Sequence, residues 1–388
     1  MSAQNKRPAN LAPLSKEAFG NAPQGNHSGG HSLTRPSEVT LVVGGSAGVL
    51  AIDALTQRIK SDGHFSSPAG DGGKTQLHAI VYERNANETV ESVESIRATL
   101  TATDNTPITV VHPLVAGSGG APPTLPERSA PHHMQLAFAV PTLTSADALR
   151  SNLDAWLKFL ATAGERNYTL ELALPQGGQG SEAEKLREVV EKLLGKAWDA
   201  SNEQAKQDGS DVLTNGARIL IDAFGAPPAD LSDSEEISNW NSFIRRLALH
   251  PRVFLKLSPI APSSLLPSAA TRPVDSHVPA SGAASAALHA VKETAGAAVS
   301  AAAGLLSKEE DLSRRLRGLL ESAVEAFGEE RLVWAGHLSA VGAKPDKEGR
   351  SEPEAWYEKV REGLADMGLD QGALNKIFAR NASQCYLF

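Results

Sequence analysis

Seven polar side chains close or directly follow apolar runs of this chain, and their types suit acid–base chemistry and the binding of charged groups. Glu83 and Arg84 follow residues 76–82, His112 closes 107–112 and Asp222 closes 217–222. Lys256 and Ser258 stand at the end of 252–257, and His337 follows 331–335. A histidine ordered by a carboxylate can take a proton from water, because its pKa lies near neutrality. His337 and Asp222 are therefore the candidate catalytic pair. Lys256, Arg84, Glu83, His112 and Ser258 are the candidate substrate-binding groups, the cations suited to a substrate carboxylate. A structural role stands beside each of these. His337 can bond a backbone carbonyl, His112 precedes Pro113, and Glu83 with Arg84 can be solvated loop charges. Lys256 lies between Leu255 and Leu257, which suits a side chain inside a barrel or a buried, architectural ion pair with Asp222.

The elements that must carry these residues are eight apolar runs: 39–43, 76–82, 107–112, 134–140, 168–174, 217–222, 252–257 and 331–335. They are rich in Val, Ile and Leu, as strands buried on both faces are. Between them, apolar residues recur every three to four positions, as in Leu186, Val189, Val190, Leu193 and Leu194, or Ile237, Trp240, Phe243, Ile244 and Leu247. Ser181…Glu184, Ser232…Glu235, Ser307…Glu310 and Ser351…Glu354 match the box in which a hydroxyl and a carboxylate cap a helix start. Strands alternating with helices predict a parallel α/β fold, here one (β/α)8 TIM barrel over 37–388. Residues 1–36 are expected to be a disordered arm, since apolar anchors are few among their Gly, Asn, Pro and Ser. Residues 113–131 read as a loop in place of the third helix. An Ala/Ser/Pro-rich insertion, 259–306, follows the seventh strand and would lie on the rim that carries catalysis.

Composition narrows the function classes. The net charge is −8 without basic blocks, which argues against a nucleic-acid partner. One cysteine, Cys385, allows neither an internal disulfide nor a cysteine-based zinc site, and a reducing cytoplasmic setting is expected. No apolar run approaches the roughly 20 residues of a membrane span. The adjacent His132 and His133, and His27 and His31, lack ligand-like spacing and read as surface residues.

The second half of the chain resembles the amidohydrolase-related family of metal-dependent hydrolases, which includes lactonase-like barrels. The likeness runs from about 152 to 388, through Leu170–Pro175, Ile221-Asp222 with Gly225 and Pro227, His250-Pro251, Lys256-Leu-Ser258 and Asn381-Ala382…Tyr386. It implies a hydrolase of lactone, ester or amide bonds in small molecules. The departures matter as much. Where the family places a D-x-H-x-H pair of metal ligands, this chain has Gly44-Gly45-Ser46-Ala47-Gly48, and the sixth strand ends Asp222-Ala223 instead of Asp-His. The family's catalytic Asp after the eighth strand corresponds to His337. A catalytic zinc needs about three protein ligands, and no such set stands at matching positions. The expectation is a degenerate, metal-free and cofactor-free site acting on an acidic substrate. Two alternatives stay open: a pseudoenzyme that keeps the barrel for binding or assembly, and a nucleotide cradle at Gly44–Gly48 with Glu83 on the ribose.

Overall fold

A computed structural model describes residues 36–44, 76–83, 108–126, 137–175, 180–209, 216–228, 233–260, 313–336 and 352–386, with the side chains of 43, 44, 108 and 352–354 excepted. The arm, residues 45–48, Arg84, residues 127–136, nearly all of the 259–306 insertion, the boxes at Ser307 and Ser351, and His337 lie outside the described residues.

Eight strands run in chain order through one sheet, each parallel to its neighbour: β1 (Glu38–Gly44), β2 (Gln76–Glu83), β3 (Ile108–Pro113), β4 (Ala137–Val140), β5 (Thr169–Leu172), β6 (Arg218–Ile221), β7 (Val253–Leu257) and β8 (Leu332–Trp334). Every run expected as a strand is one. Helices α1 (Ala146–Ser151), α2 (Leu153–Glu165), α3 (Gly180–Asp208), α4 (Ser234–Leu247), α5 (313–327) and α6 (Glu352–Asp366) follow strands as in a (β/α)8 barrel. Between β3 and β4 the described residues hold only a short 3-10 turn at Ser118–Gly120, as the Gly- and Pro-rich composition there predicts.

Alternation along each strand separates two cores. Leu41, Ile80, Val110, Leu170, Ile219, Leu255 and Leu332 face the helices and join one large apolar cluster. Their neighbours Val42, Val81, Val111, Leu220 and Val333 face inward and form a second. A helix joins the outer cluster through one stripe. In α4 this is Trp240, Phe243, Ile244 and Leu247, all at most 1% exposed. Each such side chain contributes about 1.5–3 kcal/mol by leaving water. The start of α4 differs from expectation: Asp233, not Ser232, is the cap, accepting from the N–H groups of Glu235 and Glu236 at 2.9 and 3.1 Å. A carboxylate also suits the positive end of the helix dipole. Likewise Ser181 lies inside α3, which starts at Gly180.

The last elements join the two edge strands. A short helix, α7 (Gln371–Asn375), runs through a π turn (Lys376–Arg380) into α8 (Asn381–Tyr386). The π turn packs against both β1 and β8. The Thr40 hydroxyl of β1 donates to the Ala379 carbonyl at 3.2 Å, and the Asn381 amide donates to Leu332 of β8 at 2.7 Å. Ala382, Cys385 and Tyr386 then belong to the inward cluster, so α8 fills the barrel from the end where its strands begin.

Candidate active site

The strand ends opposite α8 carry charge. Lys256, two residues beyond the inward Phe254 on β7, is 1% exposed in its side chain and stands among three carboxylates. Its ammonium donates to Glu83 at the end of β2 and, at 3.3 Å, to Glu171 on β5. Asp222, directly after β6, lies 3.8 Å away. Side-chain exposure rises from 7% at Glu171 to 15% at Glu83 and 23% at Asp222, so solvent reaches the last two first. A buried lysine is stable only when its charge is met, and here it is met three times over.

The protonation states follow from this crowding. Burial alone works against the Lys256 charge, but Glu171, Glu83 and Asp222 outweigh it and raise its pKa, so the ammonium persists at any ordinary pH. Burial pushes the Glu171 carboxyl up to about 7, opposed by Lys256 and reinforced by Glu83. Glu171 therefore changes its proton near neutrality, the range in which an acid–base group works best.

Asp222 is held from two further directions. The Ser258 hydroxyl donates to its Oδ1 and accepts from the Ala223 N–H at 3.0 Å. The backbone beyond it is strained. Ala223, Phe224, Gly225 and Ala226 all have positive φ, at 48°, 56°, 71° and 53°. Three of these are not glycine, and each such residue costs on the order of 1–3 kcal/mol. The turn is kept by the Trp240 indole donating to the Phe224 carbonyl at 3.1 Å and by Arg187 donating to the Ala226 carbonyl at 2.9 Å. Held strain beside a solvent-reachable carboxylate is a feature of functional sites.

Of the residues singled out in the sequence, the structure brings Asp222, Lys256, Glu83 and Ser258 together. His112 is not with them. Its β3 neighbour Val111 faces inward, and its ring lies 6.0 Å from that of Phe138 on the helix-facing side. Two residues of the cluster, Glu171 and Tyr386, belong to the stretches that carry the resemblance but not to the candidate site residues; the Tyr386 hydroxyl donates to Glu171 Oε1. The alternation Leu170-Glu171-Leu172 carried the same signal as Leu255-Lys256-Leu257.

A divalent cation does not fit these donors. The Lys256 ammonium already stands where the three carboxylates converge, and among the described residues no three metal-ligating side chains are placed to share an ion. A cavity of about 820 Å³ lies elsewhere, among α2, α3 and the first residues of β6 and β7, remote from the charged strand ends.

Fold and site together define a (β/α)8 barrel with a lysine–carboxylate cluster toward the C-terminal ends of its strands. No family model matches the chain, and no curated protein does. Solved structures do. An amidohydrolase from Burkholderia multivorans, crystallised with bound zinc, is 15% identical over 90% of this chain and 99% of its own, with a TM-score of 0.49. Amidohydrolase 2 from Bifidobacterium longum subsp. infantis is 10% identical over 90% and 99%, with a TM-score of 0.45. The chemistry of the site rests on this chain's own residues.

Proposed function

We propose that this chain is an amidohydrolase-related small-molecule hydrolase, cleaving a lactone, ester or amide bond without a metal. The carrying observation is that Asp222, the most solvent-exposed member of the cluster, is fixed by Ser258, Lys256 and a strained turn at the strand ends. In this reading Asp222 takes a proton from water as the water oxygen bonds to the carbonyl carbon. When the C–O or C–N bond breaks, the proton passes to the leaving group. Lys256, 3.8 Å from Asp222, holds that carboxylate in place from beneath. Glu171 is the proton reservoir beneath. His337, which follows Gly336, is proposed as a second base. The acidic substrate expected from Lys256 gives way to a neutral one, because that ammonium is already enclosed by three carboxylates. Arg84, next in sequence to Glu83, is the cation that would hold an acidic group.

The test is a hydrolysis screen of neutral and acidic lactones, esters and amides with chelator present. Turnover of neutral compounds supports the reading. Preference for acidic ones, lost in Arg84→Ala, would shift substrate contact to Arg84. Turnover that chelator abolishes and zinc restores would overturn the metal-free mechanism.

One observation favours a second reading, a non-catalytic barrel: Lys256 and Glu171 are almost fully enclosed and partner each other, as in an architectural ion cluster. Binding in the screen without turnover of any compound is its expected result. Nucleotide binding loses ground, because the Glu83 carboxylate proposed for the ribose accepts from Lys256.

A further inference from the structure

Tyr386 reaches the acid–base cluster from the other end of the barrel. The helix α8 that carries it is fastened to the first residues of several strands. The Thr169 hydroxyl, opening β5, donates to the Cys385 carbonyl. The Asn381 amide donates to the carbonyls of Glu329 and Leu332, at 2.6 and 2.7 Å, at the start of β8. His78, early in β2, shares a hydrogen bond of 2.8 Å with Ser383. These anchors leave the Tyr386 ring 2% exposed inside the barrel, with its hydroxyl donating to Glu171 Oε1. The other oxygen of the same carboxyl, Oε2, accepts from Lys256. Glu171 is thus clamped between a phenol from below and an ammonium beside it.

We propose that Tyr386 is a positioning residue of the strand-end site, whose hydroxyl orients Glu171 toward Lys256 and sets the pH at which Glu171 holds its proton. The orienting role follows from geometry, since each carboxyl oxygen has one fixed partner on a different element. The effect on the proton follows from chemistry. A neutral hydroxyl donates more strongly to a carboxylate than to a carboxylic acid, so it favours the ionised form. The hydroxyl stays protonated as it does so, because burial, and then the charge of Glu171, raises the Tyr386 pKa well above its ordinary value. The last helix is, in this account, a working part of the site and not only a plug in the barrel floor. Any role of Glu171 in turnover rests on the hydrolase reading above; its orientation and titration by Tyr386 do not.

Difference infrared spectroscopy across a pH titration tests this without a substrate. The carboxylic-acid C=O band that vanishes in Glu171→Gln reports Glu171 and should titrate near pH 7 in the unmodified protein. Tyr386→Phe keeps the ring and removes the donor. The midpoint should then rise by about one pH unit, a roughly tenfold weaker acid. Incorporating difluorotyrosine at position 386, a stronger donor of nearly the same shape, should lower it, and this arm carries the test if the phenylalanine variant fails to fold. A midpoint that neither change moves would overturn the proposal and leave Tyr386 a space-filling residue. So would a band unaffected by Glu171→Gln.

Discussion

The Nζ of Lys256 on β7 lies 3.3 Å from Oε2 of Glu171 on β5, across the interior of the barrel and two strands apart in the sheet. Neither side chain is more than 7% exposed, so this contact holds a charge and a titrating group together where water does not screen them. Several consequences can be measured.

Stability should fall with rising pH through the titration of Glu171. Its pKa is raised on folding from 4.5 to about 7, so between those values the folded state binds more protons than the unfolded one. The slope of unfolding free energy against pH is then negative, and the full loss above pH 7 is on the order of 3 kcal/mol. Urea denaturation at pH 5 and pH 8 reads it. Glu171→Gln, which removes the titration, should flatten the difference.

Removing the cation should cost more than removing a carboxylate. Lys256→Met leaves Glu83, Glu171 and Asp222 facing one another without a positive charge. Breaking such a buried group costs about 3–5 kcal/mol. Denaturant unfolding should show the loss at neutral pH and a partial recovery at acid pH, where the carboxylates take up protons. A Lys256→Met protein as stable as the unmodified one would mean that the cluster is not held by this charge.

The seam between the edge strands should depend on Asn381. Its side chain is fully buried and its amide serves two carbonyls, at Glu329 and Leu332. Asn381→Ala would leave both without that donor, at a cost of about 1–3 kcal/mol each. Hydrogen exchange should locate the loosening in β8 and α8 and leave β5 and β6 protected. Uniform loss of protection would contradict a local seam.

Much of the fold was legible because its determinants are local. A run such as Val253-Phe-Leu-Lys-Leu257 declares a strand buried on both faces, and Trp240, Phe243, Ile244 and Leu247 declare one face of a helix. The site was legible where it shares that local signal: Lys256 and Asp222 stand at strand ends in the sequence and in space. Glu171 is penultimate in β5 as Lys256 is in β7, but the apolar run 168–174 continues three residues past it, so in the sequence it reads as mid-strand. His112, which before Pro113 also read as structural, stands one step of alternation from the inward Val111, and one step moves a side chain from the inside of a barrel to the outside. The place of Tyr386 in the site is not legible from its own stretch of sequence. Its partner is 215 residues away in sequence and is met only because α8 enters the barrel. The cap at Asp233 shows a smaller limit, since two neighbouring residues could each have capped the helix and the backbone decided.

The central claim is that Asp222 activates water. The most direct measurement compares kcat/KM of the unmodified protein and Asp222→Asn, in chelator, on the neutral lactone, ester or amide turned over fastest. Asparagine keeps an oxygen to accept from Ser258 but cannot take a proton, so the account predicts a loss of about 10²–10⁴-fold with the fold intact by circular dichroism. Undiminished turnover in Asp222→Asn, or no turnover of any neutral compound by the unmodified protein, would contradict it.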